Sequence, residues 1–165
     1  MSGEELLAEA KKFEKNLLNF FWRQNVSYSE AEDLLQETYL RLWKYRDRYV
    51  ATAKLSTFLF TLARQVRIDA LRRQTRRETR EEGWIKEQGD VVQPVFPVRD
   101  DVRWALSQLS DALRETVELA IFQDLPYAEV AEILGVPVGT VKSRMSAALK
   151  QLKELFDEQG SGRNS

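Results

Sequence analysis

Three groups of residues in this 165-residue chain combine side-chain types and spacings that could do chemistry, and all three suit grip on a charged polymer. The first is Tyr127 to Leu152, YAEVAEILGVPVGTVKSRMSAALKQL. Val130, Ala131 and Leu134 give an apolar stripe, Gly135 stands where a helix ends in a left-handed cap, and Pro137 stands where a new helix can begin. In the second helix Val141, Met145, Ala148 and Leu152 recur at core spacing. Gly139, Ser143, Ser146 and Lys150 therefore turn outward, with Lys142 and Ala147 on the flanks. Small outer side chains let a helix sink into a major groove, the pattern of a helix-turn-helix that reads duplex DNA. The blander reading is a helical hairpin whose lysines are only solvated.

The second group is cationic. Arg64, Arg67, Arg72, Arg73, Arg76 and Arg77 face a single acid, Asp69. Leu59, Leu62, Ala63, Val66 and Ala70 mark a buried stripe, which is expected to turn Phe60, Arg64, Arg67 and Leu71 outward. Guanidinium groups pair with phosphates and an exposed ring supports an unpaired base, so this face suits a duplex edge or a single strand. Alternatively, Phe60 packs under the first helix and the arginines only confer solubility.

The third group is acidic. Tyr28 to Leu40 holds four acids and no base. Ala31, Leu34, Leu35, Thr38 and Leu42 form the expected buried stripe, leaving Asp33, Gln36, Glu37 and Leu40 on another side. Such runs are commonly a solvated face; the sharper reading is a docking surface for a basic partner.

Other chemistries lack their residues. The chain has no histidine and no cysteine, which removes disulfides, thiol nucleophiles, zinc knuckles and the usual imidazole base. No glycine-rich phosphate loop, metal-ligand cluster or activated nucleophile is present, so neither an enzyme nor a cofactor or metal is expected. The 25 basic and 26 acidic residues leave a formal charge of −1, so any contact with DNA must come from locally basic faces. No apolar run approaches the roughly 20 residues of a membrane span, and the first residues lack a signal-peptide pattern, which predicts a cytoplasmic protein.

The elements that must position these groups read as helices throughout, an all-α chain of two small domains. Leu6, Ala10, Phe13, Leu17 and Phe20 mark a first helix, Ser29 opens a second that runs to about Lys44, and a third begins after Ser56. Between Glu78 and Asp101 the periodicity stops and Gly83, Gly89, Pro94 and Pro97 punctuate a mostly acidic segment. The expected division is a domain over residues 1–77, a flexible linker over 78–101, a helix-turn-helix domain over 102–157 and a disordered tail over 158–165.

Two different basic sites in one small acidic chain have a single economical explanation. AEDLLQETYLRLW (Ala31 to Trp43), STFLFTLARQVRIDALRR (Ser56 to Arg73) and LRETVELAIFQDLPYAEVAEILGVPVGTVKSR (Leu113 to Arg144) together resemble an extracytoplasmic-function sigma factor, the dissociable promoter-specificity subunit of bacterial RNA polymerase. The ordered pair is the specific signal, since many regulators carry a helix-turn-helix.

The resemblance implies a division of labour. Asp33, Gln36, Glu37 and Leu40 would dock on the clamp helices of the largest polymerase subunit. Lys54, Ser56, Thr57, Phe58, Phe60, Arg64, Arg67, Arg72 and Arg73, with the loop from Tyr49 to Leu55, would capture the melted downstream (minus-10) element, with a loop pocket open to a flipped base. Thr140, Lys142, Ser143, Arg144, Ser146, Ala147 and Lys150 would read the duplex upstream (minus-35) element. The linker would thread toward the RNA exit path, and an anti-sigma partner is implied.

This chain departs from the family pattern where specificity resides. Arginines are common where Ala147 and Leu149 stand, tryptophan where Phe58 stands, asparagine where Gln65 stands, and a capping serine where Pro126 stands. The missing arginines keep open a sigma-like decoy that sequesters an anti-sigma protein, though the retained arginines near residue 70 argue against it. A conventional dimeric repressor or activator is the other alternative; it leaves the acidic helix unexplained.

Overall fold

The computed structural model describes residues 2–49, 54–80 and 100–163. Eight α-helices and no strand occur among the described residues. The helices α1 (Gly3–Lys11), α2 (Glu14–Trp22), α3 (Tyr28–Lys44) and α4 (Leu55–Arg80) belong to one compact unit, and α5 (Asp100–Ser107), α6 (Asp111–Val117), α7 (Tyr127–Leu134) and α8 (Val138–Arg163) to a second.

In the first unit, the stripe read as one initial helix is two. The chain tightens after Lys11, where the Lys12 and Phe13 amides donate to the carbonyls of Glu9 and Ala10, and α2 starts anew at Glu14. Neither glycine nor proline marks the break, which is why periodicity runs through it. The cap of helix α3 lies two residues before the expected Ser29: it is Ser27, whose hydroxyl accepts from the Glu30 amide at 3.1 Å. The spacing of Ser27 and Glu30 is that of a capping box. The buried residues of α3 are Ala31, Leu34, Leu35, Thr38 and Leu42, the stripe read from the sequence. Thr38 is tolerated there because its hydroxyl donates to the Leu34 carbonyl at 2.8 Å, leaving no unpaired donor inside.

Helix α4 packs against both α2 and α3. Its buried arc is correspondingly wide: Leu59, Phe60, Ala63 and Val66 are all buried. Leu6, Ala10, Leu42 and Leu59 make one cluster, with Phe13, Tyr39, Tyr49 and Phe58 packed at its edge. The Phe60 ring lies edge-on to Phe20 at 5.5 Å, and Phe20 meets Phe21 at 5.3 Å.

In the second unit Ser110 caps α6 through the Leu113 amide, and a single π-helical stretch, Glu118–Phe122, follows. Val117, Leu119, Val130, Ile133, Leu134, Val141, Met145 and Ala148 form the core. Helix α7 ends at Gly135, whose φ of +67° lies in the left-handed region that glycine adopts without strain. The Val136 amide then donates to the Ala131 carbonyl at 3.0 Å and the Gly135 amide to the Glu132 carbonyl at 3.3 Å, a Schellman closure. Pro126 caps α7 without a side-chain hydrogen bond, as expected for a proline in a serine's place. Helix α8 continues to Arg163, so residues 158–163 are helical where the sequence suggested a tail. Most of the expected linker, residues 81–99, lies outside the described residues, as does 50–53 of the loop before α4.

Candidate nucleic-acid interfaces

The stripe of α3 dictates what its other side offers. With five side chains turned inward, Asp33 and Gln36 are exposed, Glu37 is half-buried, and Leu40 is 65% exposed. Glu37 has a fixed partner: its Oε1 accepts from Arg41 Nε at 3.1 Å, one helical turn on. Arg41 also reaches α4, where Nη1 donates to Asp69 Oδ2 at 2.8 Å. Asp69 Oδ1 accepts from Gln65 Nε2 at 3.0 Å. The hydrogen bond from Arg41 holds the Asp69 carboxyl below its ordinary value, with Gln65 and the charges of Arg41 and Arg72 adding to it against a smaller cost of burial. At its other end α3 faces the arginines of α4, for Glu30, Asp33, Arg73 and Arg77 border one depression.

The cationic group divides on α4. Lys54, Arg72 and Arg73 are exposed, and Ser56, Phe58 and Arg64 are half-buried. Phe58 lies 5.5 Å from the Tyr49 ring, so two aromatic side chains meet beside the start of α4. Three expected members are withdrawn. Thr57 is 7% and Phe60 1% exposed, so neither presents its side chain to a strand. Arg67 is 12% exposed at its side chain, and its Nη1 lies 3.8 Å from Glu30 Oε1. The expectation that Phe60 projects outward is thus corrected. The second helix packed on α4 covers a face that a single-stripe pattern leaves open.

The outer face of α8 matches its sequence reading closely. Lys142, Ser143, Ser146, Ala147 and Lys150 are exposed and Thr140 and Arg144 half-buried, while Val141, Met145 and Ala148 are buried. Nothing lies within 4 Å of where a Cβ on Gly139 would stand, so the start of the helix is open. Ser143 donates its hydroxyl proton to the Gly139 carbonyl at 3.1 Å, leaving its oxygen lone pairs directed outward as acceptors. Leu152, expected in the core, is only half-buried, and Leu149 is 49% exposed.

Sequence reasoning missed the Arg41–Asp69 link. The Glu37–Arg41 spacing of four residues was legible as a helix-surface pair, but nothing in the chain's order marks Asp69 as the partner across two helices. No group of His, Cys, Asp and Glu among the described residues could hold a metal ion, and no described helix is long and apolar enough to cross a membrane.

Both units of the chain match known protein families. The Sigma-70 region 2 model matches residues 10–77 and the Sigma-70 region 4 model residues 99–152. The ECF RNA polymerase sigma factor SigK of Mycobacterium ulcerans is 32% identical over 135 residues, covering 77% of this chain and 72% of that protein. The ECF RNA polymerase sigma factor RpoE of Cereibacter sphaeroides is 29% identical over 146 residues, covering 86% and 81%. Among solved structures, the sigma factor RpoE from Bartonella quintana, crystallised with the anti-sigma factor NepR, superposes with a TM-score of 0.77 at 27% identity, over 91% of this chain and 97% of that one.

Proposed function

The chain belongs to the ECF sigma factors of RNA polymerase, and from that premise we propose which of its faces does which part of promoter recognition. Residues 1–77 form the domain that binds core polymerase through Asp33, Gln36, Glu37 and Leu40 and holds the melted downstream element against α4. Residues 102–157 form the domain that reads the upstream element through the outer face of α8. The linker lies between them, shorter at both ends than the expected 78–101, because residues 78–80 continue α4 and 100–101 begin α5. The chain is not itself an enzyme: polymerase supplies the chemistry and this subunit the specificity, in the cytoplasm.

The observation that carries this reading is the outer face of α8. Gly139, Ser143, Ser146 and Ala147 are all exposed and all small, and they follow the left-handed turn at Gly135. A helix so faced can approach base edges in a major groove, with Lys142 and Lys150 beside it for phosphates. Lys54 just before α4, and Arg64, Arg72 and Arg73 on it, with Phe58 in its first turn, suit an unpaired strand. Thr57 and Phe60 drop out of that set because both are buried, and Arg67 because its side chain is largely covered beside Glu30. Strand opening then draws on binding energy, unpaired bases and phosphates held here offsetting lost stacking. An anti-sigma protein that covers the acidic and basic faces is the regulator this reading implies, in keeping with the complex of the Bartonella relative.

The test is a binding and transcription assay on promoter DNA with core polymerase present and absent. Specific initiation only when both proteins are present supports the reading, and reversing Asp33 and Glu37 to Lys should weaken core binding while leaving the helices folded. Tight binding to paired half-sites without core polymerase would instead make the chain a conventional regulator, and unchanged core affinity in the reversed variant would remove the α3 interface.

A further inference from the structure

We propose that Arg41 and Asp69 are positioning residues for core-polymerase docking: Asp69, from α4, fixes the Arg41 guanidinium, which in turn holds the Glu37 carboxylate of α3 in the geometry that the partner meets. The proposal rests on the docking role of Glu37 given above.

The geometry is a fork with its two edges spent on different helices. Arg41 Nε takes Glu37 at 3.1 Å and Nη1 takes Asp69 at 2.8 Å, so one planar group spans α3 and α4. Asp69 is itself steadied from the far side by Gln65 at 3.0 Å. The Arg41 side chain is 18% exposed, whereas that of Glu37 is 37% exposed, so the anchored partner is covered and the presented one is open. A glutamate at such exposure ordinarily samples several rotamers, and freezing them on association costs binding free energy. Holding Glu37 beforehand removes part of that cost, at the expense of part of its negative field.

Packing does not require this link. The five buried side chains of α3 already seat it, and an ion pair about one-third exposed at Asp69 adds little to stability. Its placement beside exposed Leu40 and Lys44 and half-buried Tyr45, which border the same depression as Glu37 and Asp69, puts it at the docking face. Lysine cannot substitute, because one ammonium on a flexible stem lacks the forked, planar pair of donors that meets two carboxylates at fixed angles.

The experiment measures core-polymerase affinity of the full chain for Glu37→Gln, Arg41→Lys, Asp69→Asn and the doubles with Glu37→Gln, alongside thermal melting of each. Arg41→Lys and Asp69→Asn are expected to weaken core binding by roughly three- to tenfold while the melting temperature stays within a few degrees of the parent. In the Glu37→Gln background the same changes are expected to cost nothing further, because the carboxylate they position is gone. A purely structural role would give losses that add in full to that of Glu37→Gln, and this result overturns the proposal. So does parental or tighter binding by Arg41→Lys when Glu37→Gln alone binds weakly. Parental binding by Glu37→Gln refutes the docking role of that residue, and the positioning proposal with it.

Discussion

Phe60 separates two accounts of α4 with one substitution. Its ring is 1% exposed and meets Phe20 edge-on at 5.5 Å, between α2 and α4. Truncation to alanine removes the transfer free energy of a buried ring and leaves a cavity that flanking helices fill only in part, about 3–5 kcal/mol. That compares with a total of about 5–15 kcal/mol for a whole domain, so Phe60→Ala should bring the first unit close to unfolding. Phe60→Leu keeps most of the volume and forfeits chiefly the edge contact and some fit, about 1–2 kcal/mol. Because the chain has two compact units, one melting curve does not isolate the effect. Amide hydrogen exchange at Ala63 and Val66 in α4 reads the first unit directly, and protection there should fall in proportion to the loss. If Phe60 instead stacks on a base, Phe60→Leu leaves exchange unchanged and costs about 1–3 kcal/mol in binding to a single-stranded downstream element. Parental protection in Phe60→Leu with that loss of strand affinity would refute the core assignment.

The Asp69 carboxyl is held below its usual value by Arg41, so its contribution to stability is present above the unfolded-state value of about 4 and is lost as pH falls through the lower folded-state value. Urea unfolding of Asp69→Asn beside the parent should therefore show a deficit of about 0.5–1 kcal/mol at pH 7, discounted for its exposure, that shrinks as falling pH protonates the carboxylate. Gly135→Ala should destabilise the second unit by about 1–2 kcal/mol in denaturant titration, entirely through the left-handed backbone, since nothing lies within 4 Å of the new methyl. Ser143→Ala should change the preferred base at one or two upstream positions, at about 1 kcal/mol, whereas Lys153→Ala should weaken all upstream sequences alike and lower the salt slope by about one unit; holoenzyme binding to upstream variants at several salt concentrations distinguishes them. In the same assay Ala147→Arg should tighten upstream binding, as that position is exposed on the reading face.

Local rules made much of this protein legible in its order of residues. The helix-turn-helix rests on Gly135, Pro137 and the stripe of α8, all decided within one or two turns of chain, where backbone freedom and side-chain period act without outside help. The acidic face of α3 was readable for the same reason: its five inward residues recur at one helical period, and the rest follow by subtraction. Tertiary structure decided whatever depended on a second or third helix. Phe60 went inside because α2 and α3 both press on α4 and widen its buried arc beyond what a single stripe describes. Arg67 sank toward Glu30 by the same packing. Asp69 looked like a lone acid among arginines, and only the approach of α3 to α4 gave it Arg41 and made one guanidinium answer to two helices. Periodicity specifies that a helix has an inner side; how many neighbours share that side is a property of the packed unit.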